Sequence, residues 1–461
     1  MALVNAMRTW WKEREGWFWA VGLANLVLGT SSVLIPLMLS DVLRQSVGAL
    51  GLLASSVSLA GVLGSLVWGR LSDAAYRRKP FVVASYIVVG ACLAGIALSS
   101  SYVQLLVLNT LLNFFWVANA SVTILLVIEN GEQTDWERKI SRLNQFGAIG
   151  WFSGLALGTA AMALGLPTLG SNLAIRGLFA AIAVLGLVAG LLAARRIPRT
   201  KPVYVQRKFR GMILAMGNFL VERARFAPLH LYHRFRPRKI WHALTHPEGF
   251  EPGIKRFLGA TVLAFIGLGL FGIPLPLLLA ERFGFSPSIV FFLFMIQHAG
   301  IAIAYPLAAR RIKRRGNRKI QGAALAARLA LFLAAALYLA TVPGAPHPAI
   351  LVVAFLVYGV SWSLFQLSGI ALTTRLAKPE NKGLALGLYN ALAGVGWIVA
   401  GVASGVIAET AGYAASFGGA VLFVALSLVV LRTVPAVAHD PVTAPARRRS
   451  RRHRPRPAHV S

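Results

Sequence analysis

Gly69-Arg70-Leu71-Ser72-Asp73-Ala74-Ala75-Tyr76-Arg77-Arg78-Lys79-Pro80 lies between two long apolar runs, Val47–Trp68 and Phe81–Leu98. Between Arg70 and Lys79 it carries one acid and four bases. Ionised groups are costly at the centre of a bilayer, and short loops rich in Lys and Arg favour its cytoplasmic side. A stretch this charged between runs this apolar marks a turn at the cytoplasmic membrane surface.

Working outward, the 461 residues are 57% hydrophobic and 13% charged. That balance excludes an ordinary soluble domain and fits a polytopic membrane protein. A formal charge of +32 would otherwise suggest nucleic acid. Here the bases cluster in the gaps between apolar runs, so topology explains them and no specific nucleic-acid partner is expected. Cys92 is the single cysteine and falls inside an apolar run, so neither a disulfide framework nor a thiolate metal site is expected. No cleavable signal peptide is expected, because the first apolar run follows a charged amphipathic start.

Spanning a hydrocarbon core of ~30 Å takes about 20 apolar residues. Twelve segments qualify: Trp17–Leu39, Val47–Trp68, Phe81–Leu98, Tyr102–Ile128, Asn144–Leu166 and Ala174–Ala194, then Phe257–Ala280, Ile289–Leu307, Gln321–Thr341, Pro348–Thr374, Gly383–Ala408 and Tyr413–Leu431. With both termini inside, only Arg44, Arg176 and Arg282 of the 47 Lys and Arg residues face out, and Arg328 lies within the ninth segment. This bias sets the orientation.

The spacing G-x-L-x-D-x-x-x-R-R resembles the loop between the second and third helices of the major facilitator superfamily, with Tyr76 where that family usually has glycine. Six segments, a long link and six more is also that family's layout. The loop Arg310–Lys319 occupies the matching place in the second half, with bases and no acid. The resemblance implies an all-α membrane fold of twelve transmembrane helices in two pseudo-symmetric six-helix bundles. It divides the chain into an N-terminal bundle (1–194), a basic cytoplasmic linker (195–256), a C-terminal bundle (257–432) and an Arg-rich tail (433–461). It also implies that Gly69, Arg70, Asp73, Arg77 and Arg78 form a conformational latch, with Asp73 at a helix N-terminus, where a carboxylate is stabilised. Within the linker, Phe209, Met212, Ile213, Met216, Phe219 and Leu220 recur at helical spacing, which predicts an interfacial amphipathic helix over 207–226. The tail around Arg447–Arg454 reads as low-complexity and disordered.

In that family the first, fourth, seventh and tenth helices line a central cavity, with the second, fifth, eighth and eleventh beside them. Polar residues at membrane depth are therefore the candidates for substrate binding, since each needs a partner or water. They are Asn25 in the first segment, Asn109, Asn113 and Trp116 in the fourth, Trp151 in the fifth, and Gln297 and His298 in the eighth. Trp362 and Gln366 in the tenth and Asn390 and Trp397 in the eleventh complete the set. Asn119 lies off the stripe of the fourth segment. His298 could titrate near physiological pH, although a neutral hydrogen-bonded histidine is the usual case. Arg328 is about seven residues into the ninth segment, on a helix that braces rather than lines the cavity, so it is expected to snorkel to the cytoplasmic interface.

No acid falls near the middle of any segment, which predicts weak or absent proton coupling. No catalytic constellation, P-loop or metal-ligand cluster stands out, so no enzyme activity, cofactor or metal is expected. The function expected is secondary or facilitative transport of a small solute by alternating access. A polytopic enzyme acting on lipid, or a non-transporting receptor or scaffold on the same fold, are the alternatives. Amide and indole side chains without buried charge suit a neutral polar or amphiphilic solute. A monomer in the plasma membrane, with both termini cytoplasmic and lipid as its surroundings, completes the expectation.

Overall fold

The computed structural model describes residues 16–74, 78–129, 136–198, 252–377 and 382–435, and all regular structure among them is helical. In the first half, α1 (Phe18–Leu37) ends in a π turn, Met38–Val42, followed by α2 (Val47–Ala74), α3 (Lys79–Leu98) and α4 (Tyr102–Glu129). A helical run over Trp136–Arg196 breaks at Gly170 into α5 (136–169) and α6 (171–196). The second half repeats the pattern. Its α7 (Pro252–Gly272) continues through Leu275–Leu277 into a second π turn, Leu278–Arg282. Then come α8 (Pro287–Arg315), α9 (Asn317–Thr341) and α10 (Pro348–Leu376). Lys382–Arg432 breaks at Gly412 into α11 (382–411) and α12 (413–432).

The two breaks follow from length. An unbroken helix of 61 residues would run ~90 Å, three times the hydrocarbon core. Gly170 (φ 76°) and Gly412 (φ 83°) stand where the chain must reverse, in the left-handed region that glycine enters without a Cβ penalty. Ten helices are long and apolar enough to cross a membrane, and two of these are the broken runs, of 55 and 48 residues. The π turns show the internal repeat most directly, because Asp41 and Glu281 occupy the fourth position of each.

The charged stretch read as a turn is mostly helix. Residues 69–74 form the last turns of α2, and Lys79-Pro80 opens α3. Pro80 is tolerated there because the first turn's N–H groups have no intrahelical acceptor. The expected surface helix over 207–226 and the Arg-rich tail at 447–454 lie outside the described residues.

Within each half, small residues bring backbones together. A Cβ on Gly150 of α5 would sit 2.0 Å from the carbonyl oxygen of Gly22 on α1, and one on Gly359 of α10 would sit 1.9 Å from that of Gln297 on α8. In lipid such close packing, rather than hydrophobicity, drives helix association. The second half adds an aromatic core, in which the Phe271 ring lies 4.0 Å from that of Phe332 and 4.3 Å from that of Phe417, centroid to centroid.

The halves meet along two seams. Between α2 and α11, Gly51 faces Gly401 and Gly405, and the Ser55 hydroxyl donates to the Ile398 carbonyl at 2.8 Å. Between α5 and α8, Gly158 packs on the Phe291 ring. Both seams lie toward the π-turn end of the molecule. Toward the other end the halves part: Gly387 on α11 has nothing within 4 Å of an added Cβ, and Gln145 on α5 and Asn390 on α11 are exposed.

Candidate functional site: the cleft between the halves

At the head of this cleft α5 and α8 touch through side chains that the sequence places 147 residues apart. The Trp151 and His298 rings stack at 5.6 Å and 17°. Trp151 is fixed from behind, since its carbonyl oxygen would lie 2.4 Å from a Cβ on Gly29 of α1. His298 Nδ1 lies 2.9 Å from the Phe294 carbonyl oxygen, which accepts its proton. Beside this stack, Trp151 Nε1 and Gln297 Oε1 are buried with no hydrogen-bond partner, one a donor and one an acceptor. Leaving such groups unpaired is unfavourable, so a donor and an acceptor capacity stay unused at the α5–α8 crossing.

On α4, the Asn113 amide donates to the carbonyl of Asn109 at 2.8 Å and to its side-chain oxygen at 3.1 Å. Asn109 is buried and Asn113 half-buried, so of the two Asn113 is the one available to the cleft. Trp116 turns inward and stacks on Tyr86 of α3 at 6.3 Å. The Tyr86 hydroxyl donates to Asn119 Oδ1 at 2.7 Å, which accounts for an asparagine off the stripe.

On α10, Trp362 and Gln366 are half-buried. Gln366 Oε1 accepts from the Tyr305 hydroxyl of α8 at 2.9 Å. Trp362 and Trp397 both rest on Phe265 of α7, each with centroids 6.4 Å away. Asn25 does not reach across the cleft: its amide donates to the Val21 carbonyl at 2.8 Å, beside Gly147. Thus Trp151, Gln297 and His298 come together at the α5–α8 crossing, and Trp362 and Trp397 on Phe265, whereas Asn390 stands alone toward the open end.

Arg328 overturns its expectation. It does not snorkel but is 0% exposed, the only buried charged side chain among the described residues. Because α9 begins at Asn317, Arg328 lies eleven residues in, near the middle of the helix. Its Nη2 donates to the Tyr358 carbonyl at 3.2 Å, and its guanidinium carbon lies 4.7 Å from the Tyr358 ring and 5.3 Å from that of Trp362. Its Nε and Nη1 have no hydrogen-bond partner. The premise of an uncharged membrane interior fails here. A lone charge at such depth was itself the signal to follow.

Of the latch residues, Gly69, Arg70 and Asp73 lie on the last turns of α2 and Arg78 immediately precedes α3. Arg77 lies outside the described residues.

The sequence profile of the Major Facilitator Superfamily matches residues 17–247 and 257–459. No curated protein sequence matches the chain. Among solved structures, a POT family peptide transporter in complex with alafosfalin aligns with a TM-score of 0.71 at 15% identity, covering 91% of this chain and 94% of that one. A D-xylose-proton symporter aligns at 0.68 and 11%, covering 92% and 98%. The nucleoside transporter NupG aligns at 0.62 and 15%, covering 91% and 97%.

Proposed function

Because the chain belongs to the Major Facilitator Superfamily, we propose that it moves a small solute across the membrane by alternating access, the two halves rocking about a site in the cleft. The observation that carries this reading is the pair of buried, unpartnered polar atoms, Trp151 Nε1 and Gln297 Oε1, at the point where the halves cross. The closed α2–α11 seam at one end and the parted helices at the other describe one state of such a cycle. With the basic loops cytoplasmic, as the positive-inside bias places them, the cleft faces inward. The protein is then a monomeric carrier of the plasma membrane with both termini in the cytoplasm. Structural relatives named for peptides, nucleosides and xylose share the fold, so the side chains rather than the architecture choose the solute.

Among the described residues, the carboxylates of Asp41 and Glu281 stand on the π turns and Asp73, Glu129, Glu137 and Glu409 near helix ends, which supports weak or absent coupling to protons. Proteoliposomes of the purified chain test the reading. Uptake should saturate with solute concentration and persist when an uncoupler collapses the proton gradient. Gly51→Leu, which drives a side chain into the Gly401 carbonyl, should abolish it. Leakage equal to that of empty liposomes for every solute tried would contradict transport.

A further inference from the structure

Among the described residues, Arg328 is a cation without a counter-ion. A guanidinium carries five N–H groups in a planar arrangement that matches carboxylate and phosphate oxygens. Here its acceptors are neutral: the Tyr358 carbonyl, which also accepts from the Ser361 hydroxyl at 2.9 Å, and the nearby Tyr358 hydroxyl. Nε and Nη1 are buried and unmatched. The Tyr358 and Trp362 rings attract the charge, but a ring face does not replace the directed oxygen acceptors those N–H groups lack. The carboxylates among the described residues offer no partner, since Asp41, Asp73, Glu129, Glu137, Glu281 and Glu409 all stand near helix ends.

The α9–α10 contact does not need this charge. Ser368 on α10 already donates to Gln321 Oε1 on α9. Nor can the arginine reach water, being 0% exposed near the middle of its helix. Against its guanidinium lie the Tyr358 and Trp362 rings, and Trp362 is half-buried, rests on Phe265 of α7 and stands one turn from Gln366. A buried charge of this kind is retained against its desolvation penalty when an ion of opposite sign pairs with it.

We propose that Arg328 is the counter-ion for an anionic group, a carboxylate or a phosphate, on the transported solute, and that Trp362 is the movable cover between them. This rests on the transport reading and replaces the neutral solute expected from the amide and indole side chains. The solute then combines an anionic group for Arg328 with an apolar or aromatic body for Trp362, Trp397 and Phe265.

Proteoliposomes exposed to a small-molecule cell extract of sugars, nucleosides, amino acids, carboxylic acids and phosphate esters test it, with uptake read by mass spectrometry against empty liposomes. The compounds taken up by the parent protein should carry a carboxylate or phosphate. Their uncharged amides or dephosphorylated forms should enter at least tenfold more slowly. Arg328→Gln should lose the anionic uptake at least tenfold, and Arg328→Lys should keep part of it. The acid–amide comparison uses the parent protein alone, so it decides the matter even if Arg328→Gln fails to fold. Neutral solutes entering as readily as anionic ones would overturn the assignment and leave the transport reading standing. A parent protein that moves nothing would overturn the transport reading, and the assignment with it.

Discussion

In each half a bracing helix hands one polar side chain to the neighbouring helix at the cleft, and the two contacts are built to opposite ends. In the first half, Tyr86 of α3 donates to Asn119 and stacks on Trp116 of α4, so every polar atom involved is neutral and the Tyr86 hydroxyl has its acceptor. In the second, Arg328 of α9 lies over Tyr358 and Trp362 of α10 with two nitrogens unmatched. The first contact is complete and serves packing. The second is complete only with something added, so its charge serves binding. The charged junctions after the second helix of each half differ in a parallel way: residues 69–80 include Asp73, whereas Arg310–Lys319 is basic without an acid.

The largest consequence concerns Arg328→Met. Replacing a buried unpaired charge by an apolar side chain of similar length is often neutral or stabilising, by about 1–4 kcal/mol in favourable cases. Arg328→Met should therefore hold or raise the thermal midpoint while transport falls about tenfold or more, a loss on the order of 1.4 kcal/mol in transition-state terms. If stability falls in step with transport, the two contacts are alike and the comparison breaks.

An intermediate effect is expected at the loops. Asp73→Asn should slow transport about two- to fivefold, because a carboxylate that meets the N-terminus of another helix in one state of the cycle would contribute ~0.3–1 kcal/mol to the conformational balance. Solute affinity and expression should stay close to those of the parent. Unchanged transport would mean that the acidic and acid-free loops are equivalent.

The smallest effect is at Tyr86. Tyr86→Phe leaves Asn119 without its donor and should lower stability by about 1 kcal/mol, with transport changed less than twofold. Pairing it with Asn119→Leu should recover much of that loss, since both partners are then apolar. A Tyr86→Phe protein that loses transport but not stability would place the first-half contact in the mechanism too.

Much of this architecture was legible in the sequence, because membrane helices report themselves locally. Apolar length, basic loops and the 69–80 stretch lie each within one stretch of chain, and the family profile agrees with them. The site was only partly legible. Trp151, Gln297 and His298 were identifiable as polar or aromatic residues at membrane depth, but the Trp151–His298 stack belongs to the crossing of α5 and α8, which no local pattern encodes. Asn109 and Asn113 share a stripe yet bond to each other, which leaves the buried Asn109 facing its own helix. Arg328 was misplaced for a definable reason. The apolar run puts it seven residues into a segment starting at Gln321, but local sequence does not show the Tyr358 and Trp362 rings of α10 that enclose its side chain and hold it from the interface.

Alternating access itself is tested most directly by paired distance measurements in proteoliposomes, with spin labels on a Cys92→Ser background. One pair, at Ser46 and Arg282, reports the π-turn end; the other, at Asn144 and Arg314, reports the parted end. Without solute, the account predicts a narrow, short distance at Ser46–Arg282 and a longer one at Asn144–Arg314. Adding the small-molecule extract should populate a second state in which the first distance lengthens as the second shortens. Distances at both ends that stay fixed while solute is being moved would contradict it.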